Sequence, residues 1–306
     1  MKKVSIVTVN FNQAGVTLEL LQSIQQTNTY TDIEIIVVDN GSRENPGQAI
    51  ARQYPHVKFI RSEHNLGFAG GNNLGINAAT GDYFFLVNND TEFTSGLIQK
   101  LVDVLDMHPE VGAVSPRINY FNDKTLIQYA GFTRVNFYTC RNYAVGKFKR
   151  DEGQFDEVCG PTAYAHGAAM MVKRDATAKA GLMFENYFLY FEEIDWCERI
   201  LRAGFQIWMR GDAVIYHKES VSVGKKSVIK EYFMNRNRIL FTRRNAPLPA
   251  KLVFYIYFML MVVPRNIISY IKAGDKQFIS VLFKAIGWNL THRRNSADLG
   301  ITLKTA

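Results

Sequence analysis

Three carboxylates fall within four positions, Glu192, Glu193 and Asp195, inside the aromatic stretch NYFLYFEEIDWCERILRAGF. Like charges this close repel, and partial burial disfavours ionisation further, so at least one acid should keep its proton above the usual carboxylate range. An acid tuned in this way is suited to accept a proton near neutral pH. On a helix, Glu192 and Asp195 share a face, while Glu193 is turned about 100° from Glu192. One face would then bind or orient while the other does chemistry. The helix dipole attracts acids to an N-terminus, at about 0.3–1 kcal/mol each. That accounts for two acids more easily than for three amid aromatic residues.

A second set of polar residues is scattered along the first third of the chain. Thr8-Val9-Asn10-Phe11-Asn12, Asp39-Asn40-Gly41-Ser42, NLGFAGGNNLG (65–75) and Asn88-Asn89-Asp90-Thr91 each follow an apolar run. Any one of them has an ordinary reading as a turn, since Asn and Gly are turn formers and Asp caps helices. Four in succession, two of them carrying a carboxylate, read instead as a ligand-binding rim.

The elements that position this rim follow from periodicity. VSIVTV (4–9), IEIIVVD (33–39), VKFIR (57–61), YFFLVN (83–88) and VGAVS (111–115) are short and apolar, most of them rich in β-branched residues, which predicts buried strands. Residues 16–27, 69–79 and 96–107 carry the helical period between them. Strand–helix alternation predicts an α/β fold with a mostly parallel sheet flanked by helices. Such sheets bind ligands at the carboxyl ends of their strands. Residues 117–165 read as loops and a β-ribbon, and 167–176 as a strand running into a helix. A helix over 191–203 ends at Gly204, two short strands (IWMR and AVIYH) follow, and the chain is helical from about residue 227.

At 306 residues, with 47% hydrophobic and 21% charged content, the chain can bury a full core and is not a disordered protein. The net charge of +8 belongs to the tail: residues 241–306 hold ten Lys/Arg against Asp275 and Asp298. A neutral body argues against nucleic acid as a partner. Cys140, Cys159 and Cys197 are far apart and form no CxxC or Cys/His cluster, which fits a reduced, cytoplasmic compartment. The start, MKKVSIVTVNFN, reads as a first strand rather than a signal peptide. A dinucleotide fold wants GxGxxG after the first strand, where NFNQAG stands, and no GxxxxGK[ST] phosphate loop occurs.

The ordered set VSIVTVNFN, VVDNGS, NLGFAGGNN, LVNNDT, YFEEIDWCER and IYHKES resembles family 2 glycosyltransferases with the GT-A fold, over roughly residues 3–245. The bacterial branch with rhamnosyltransferase-like enzymes of surface-polysaccharide assembly is the most similar. The resemblance implies a catalytic domain at 1–245 and a helical extension at 246–306. It implies an inverting transfer of sugar from a nucleoside-diphosphate sugar to a saccharide acceptor, polyprenyl-linked in that branch. Asp39 would contact the nucleobase, with Thr8 and Asn10 lining the same pocket. Asn65, Gly67, Gly70, Asn73, Asn89 and Asp90 would complete the donor site. The family's DxD motif falls on Asn88-Asn89-Asp90, so Asp90 alone remains to bind Mg2+ or Mn2+, with His217 as a second ligand. The family's acidic pair falls on Glu192-Glu193, which makes Glu193 the base and Asp195 the reserve. Glu192 would meet the acceptor, and Trp196 would either stack on a sugar or belong to the core. A nucleotidyltransferase and a non-catalytic nucleotide-sugar-binding protein are the alternatives. The first would carry a basic, Gly-rich loop after strand one, which NFNQ is not.

LVFYIYFMLMVV (252–263) is twelve apolar residues long, too short to span a bilayer, and Pro264 and Arg265 interrupt it. With the basic residues around it, the tail reads as lying in a membrane interface. That would make the protein peripheral on the inner face of the cytoplasmic membrane. A helical subdomain or a homodimer interface is the alternative use of the same apolar surface.

Overall fold

The structure, a computed structural model, describes residues 1–218 and 227–302. Glu219 and Ser220, which end the IYHKES motif, lie outside the described residues. Strands and helices alternate first: β1 (Val4–Asn10), α1 (Ala14–Thr27), β2 (Ile33–Asn40), α2 (Gly47–Gln53), β3 (Lys58–Ser62), α3 (Gly67–Ala78), β4 (Tyr83–Val87), β5 (Thr91–Phe93) and α4 (Leu97–Met107). A β-rich stretch follows, with β6 (Val111–Tyr120), β7 (Ile127–Tyr129), β8 (Cys159–Pro161) and β9 (Ala169–Lys173). Then come α5 (Arg174–Ala180), α6 (Glu192–Arg202), β10 (Gln206–His217) and α7 (Val228–Asn245). The tail holds α8 (Leu248–Tyr257), α9 (Val263–Ala273) and α10 (Gln277–Thr291).

One sheet runs β3-β2-β1-β4-β9-β6-β10-β5, with β7 added beside β6 and β8 beside β10. The first four of these strands are parallel, as are β6 and β10. However, β9 runs antiparallel to both β4 and β6, and β5 antiparallel to β10. The sheet is therefore mixed rather than mostly parallel. Helical crossovers impose parallel direction, and β9 is reached instead through the ribbon of residues 121–168. The period of two splits the core in two. Val7, Ile36, Val38, Phe84 and Leu86 face one helix layer, and Ile6, Val37, Phe85 and Val87 face the other.

The Gly-rich run in α3 is explained by close packing. A Cβ on Gly75 would stand 2.3 Å from Val7 Cγ1, and one on Gly71 2.8 Å from Val9 Cγ1. The helix therefore lies directly on β1, and its N-terminus reaches the sheet edge. The two short strands expected near residue 210 are one strand, β10, with a bulge between Arg210 and Val214. Gly211-Asp212-Ala213 is taken up as that bulge, which leaves His217 at the far end of the sheet.

The tail also differs from expectation. Pro264 does not interrupt the apolar run: helix continues from Leu248 to Ala273, with Phe258–Val262 in a π-turn between α8 and α9. The wider turn absorbs the missing proline N–H. It also keeps Phe254, Phe258 and Val262, spaced by four, on one buried face. At 26 residues the helix is long and apolar enough to cross a membrane by length and composition. Its buried face nevertheless belongs to the same core as the sheet.

Candidate active site

The carboxyl ends of β1, β2 and β4 open into a cleft of about 990 Å3. Val9, Phe11, Asn40 and Ser42 line it from the parallel half of the sheet, Phe132 and His166 from the ribbon, and Leu189 and Tyr190 from the loop before α6.

On the parallel side Thr8, Asn10 and Asp39 form one cluster, but all three are fully buried beneath the cleft wall. Asn10 Nδ2 donates to Asp39 Oδ1 at 2.8 Å and to Ser42 Oγ at 3.1 Å. Asp39 Oδ2 lies 3.4 Å from Arg61 Nη1 without a hydrogen bond, and Thr8 Oγ1 has no partner at all. None of the three lines the cleft, so they support the wall from below, with Asp39 neutralised by Arg61. Asn65 and Gly67 line the cleft. Gly70 and Asn73 do not. A Cβ on Gly70 would meet Leu66 Cβ at 2.6 Å, and Asn73 Nδ2 is spent on Met183 O and Glu185 Oε1. Asn72, on the other side of the helix, takes the place in the wall expected of Asn73.

Asn88, Asn89, Asp90 and His217 stand together in the cleft, where the turn after β4 leads into β5 beside the end of β10. Asn89 Nδ2 donates to Thr17 Oγ1 at 3.0 Å and fixes the turn. His217 Nδ1 is 2.8 Å from Gln128 Oε1, and in the neutral ring that contact places the proton on Nδ1. His217 Nε2 then turns its lone pair to Asp90 Oδ1, 3.2 Å away, a buried oxygen with no hydrogen bond. Two acceptors facing each other at this distance require a cation or proton between them. One oxygen and one imidazole nitrogen suit Mn2+ well. Among the described residues no group of three His, Cys, Asp or Glu gathers anywhere. A cation held by this pair would need further oxygen ligands from outside the described side chains.

The three acids separate cleanly. Phe191, in a left-handed conformation, precedes α6, and all three acids lie in its first turn. Glu192 is buried with Oε2 unpaired, and burial, then the neighbouring Glu193 charge, hold its carboxyl well above the usual range. Glu193 is half-buried, and desolvation raises it too. Its methylenes lie against Gly167, next to the cleft residue His166. Both carboxyls are thus held above the usual range by desolvation, Glu192 further by the charge of Glu193 beside it. Asp195 behaves oppositely. Arg199 Nε and Arg244 Nε each sit 3.1 Å from it, and Asn245 Nδ2 and Tyr187 Oη donate to it at 2.8 Å and 3.1 Å. Burial alone would raise its pKa, but Arg244, Asn245 and Arg199 outweigh burial and lower it. Its carboxylate ties α6 to the end of α7 and does not enter the cleft. Trp196 is fully buried, with its indole N–H donating to Gly181 O at 2.7 Å. It is core, not a platform for a sugar.

Several residues of the site carried no sequence signal. His166 stacks on Phe132 with ring centroids 5.7 Å apart, and its Nδ1 accepts the Ala168 N–H at 3.0 Å. Burial, His217 and Lys147 push its pKa down to about 3, so the ring is neutral and its Nε2–H is a fixed donor. The loop before α6 holds Phe188, Tyr190 and Phe191 at positive φ, a strained state for such side chains. Asn237 of α7 holds it there, its Nδ2 within 2.7–2.9 Å of the carbonyls of Tyr187, Leu189 and Tyr190. Gly67, at φ +74°, lets this loop close in, since a Cβ there would meet Phe188 O at 2.3 Å.

The family model for glycosyl transferase family 2 matches residues 5–181. The N-acetylglucosaminyl-diphospho-decaprenol L-rhamnosyltransferase of Mycobacterium tuberculosis is 25% identical over 211 residues, covering 62% of this chain and 68% of that protein. The low-salt glycan biosynthesis hexosyltransferase Agl10 of Haloferax volcanii is 26% identical over 218 residues, covering 68% and 66%. Among solved structures, the mannosyltransferase PcManGT from Pyrobaculum calidifontis, in complex with GDP-Man and Mn2+, superimposes with a TM-score of 0.59 at 16% identity, covering 95% of this chain and 87% of that one. That likeness extends through the mixed sheet and its flanking helices, the architecture of the GT-A fold. The chain belongs to glycosyl transferase family 2 and is a sugar-transferring enzyme of glycan synthesis, rather than a nucleotidyltransferase or a non-catalytic binding protein.

Proposed function

We propose that the enzyme transfers a sugar, with inversion, from a nucleoside-diphosphate sugar to a hydroxyl of a lipid-linked saccharide. The observation that carries this is Asp90 Oδ1 at 3.2 Å from His217 Nε2 in the cleft that His166 lines, with Glu193 packed against the adjoining Gly167. The nucleoside lies at the β1–β2 end, where Asn40, Ser42 and Asn65 line the cleft above the Asn10–Asp39 pair. Asp90 and His217 hold a divalent cation, Mn2+ or Mg2+, which when bound offsets the charge of the departing diphosphate. Glu193 accepts the proton of the acceptor hydroxyl as that oxygen bonds to the anomeric carbon. The bond from that carbon to the phosphate oxygen breaks with its electron pair leaving on the diphosphate, and attack from the opposite face inverts the centre. Protonated Glu192, beneath it, keeps a second negative charge out of the site. Incubation with nucleotide-sugars and a lipid-linked saccharide, with Mn2+ or with chelator, tests the reading. Nucleoside diphosphate should appear in proportion to glycosylated acceptor and only with the metal; release without glycosylated product would refute it.

The acceptor's lipid explains the tail. Leu252, Ile256, Leu260, Met261 and Ile268 are each more than half exposed on the helix from Leu248 to Ala273. The basic excess of the same region complements an anionic bilayer surface, so the helix lies in the interface and the enzyme is peripheral on the cytoplasmic face. The double change Ile256→Glu, Leu260→Glu should weaken co-sedimentation with phosphatidylglycerol vesicles at least tenfold while nucleoside diphosphate binding stays. Unaltered vesicle binding would remove this face from the membrane.

A further inference from the structure

A second cavity, of about 290 Å3, lies between α7 and the tail helices α9 and α10. Three cationic side chains line it: Lys230, Arg238 and Arg265. Among the described residues Glu231 is the one acid in its wall, and it is already engaged by the Tyr270 hydroxyl and by Asn235 Nδ2. None of the three cations makes an ion pair among the described residues. Arg238 donates through Nη2 to Thr139 O and keeps a buried Nε–H with no partner. Arg265 donates to Asn266 Oδ1 at 3.1 Å. Three cations gathered around a single, already hydrogen-bonded carboxylate leave an excess positive charge that an anion would complete.

Two neighbours fix what that anion belongs to. Ser227 and Lys230 line both this cavity and the wall of the catalytic cleft, so the two are adjoining. On its other side the cavity opens beside Arg265, in the helix that exposes Leu260, Met261 and Ile268. The cavity thus sits between the place of transfer and the apolar surface. We propose that it seats the diphosphate joining the acceptor saccharide to its lipid, held by Lys230, Arg238 and Arg265. This assignment rests on the lipid-linked acceptor reading given above. The saccharide then projects past Lys230 into the cleft, and the prenyl chain leaves along the exposed face of α9. Lys230 is the shared point, since it can touch the acceptor's phosphate from the cleft side. Arginine forks suit phosphate oxygens through paired hydrogen bonds.

The test measures binding to the full chain with its donor site filled by excess nucleoside diphosphate and Mn2+. The probes are geranyl diphosphate, inorganic pyrophosphate and geraniol. Geranyl diphosphate should bind at least tenfold more tightly than either of the others. Arg265→Ala, an exposed change, should raise its Kd about tenfold, as for loss of a charged hydrogen bond, and leave the Kd for nucleoside diphosphate within twofold. Equal affinity for pyrophosphate and geranyl diphosphate would overturn the lipid assignment in favour of a free-anion site. An unchanged Kd for geranyl diphosphate in Arg265→Ala would overturn the cavity itself. Failure of nucleoside diphosphate to bind with Mn2+ would count against the transferase reading instead, so the two failures are told apart.

Discussion

Glu193→Gln is expected to lower kcat by about 10²–10⁴-fold, the usual contribution of a positioned base, with donor affinity kept. The amide fills the same space beside Gly167 but accepts no proton. The wild-type rate should also carry the signature of a desolvated acid. Burial raises Glu193, so the rise of kcat/KM with pH should lie above the ordinary Glu range of about 4.3. Below that limb the carboxyl is protonated and cannot act, and above it the rate levels off. A limb that persists in Glu193→Gln would assign it to another group. Asp195→Asn is the control, because it strikes stability first. Asp195 is lowered by its two arginines and Asn245, so its contribution is present above the unfolded carboxylate value and is lost as pH falls through the lower folded one. Breaking this buried cluster should cost about 3 kcal/mol near neutrality. In urea denaturation the gap between wild type and Asp195→Asn should close in acid. A neutral-pH midpoint equal to wild type would mean that Asp195 does not tie α6 to α7.

Asp90→Ala should abolish the Mn2+-dependent stabilisation by nucleoside diphosphate. For wild type with ligand at about a hundred times Kd, that stabilisation is about 2.7 kcal/mol, read directly as a shift in the thermal midpoint. Asp90 offers the one buried carboxylate oxygen facing His217, and the remaining imidazole cannot hold the cation alone. His217→Ala should give the same loss. Gln128→Leu should give a partial one of about 10–100-fold in metal affinity, because Gln128 sets which ring nitrogen faces Asp90. A metal-dependent shift retained in Asp90→Ala would place the cation elsewhere.

The parallel half of the fold was legible because its signal is local. Short β-branched runs separated by helical periods mark β1 to β4, and the polar turns after them mark the cleft. The antiparallel half was not, since the direction of β9 depends on a ribbon whose residues carry no strong period. The site divides along the same line. Asp90 and His217 are separated by more than a hundred residues and meet because β10 ends beside β5. Family motifs named both, whereas Gln128 and His166 stand in the ribbon and are positioned only by tertiary contact. Asn73 was misplaced because a Gly-Asn-Asn run does not say which asparagine faces out; the helix turn decides for Asn72. Sequence left Trp196 open between sugar platform and core, and Asp195 as the reserve base; burial decides for core in one and for an ion-pair clasp in the other. The π-turn at Phe258–Val262 was hidden by Pro264, which by local rules ends a helix.

The grip of α7 on the acid helix bears on how such enzymes acquire new acceptors. Arg244 and Asn245 grasp Asp195, and Asn237 grasps the loop that aims Glu192 and Glu193. A chimera joined at residue 246, with only the tail exchanged, keeps these contacts with the acid helix and its loop. A crossover upstream of residue 228 imports a foreign clasp along with the new tail, and recombinants of that kind should be recovered rarely unless the acid helix travels with them.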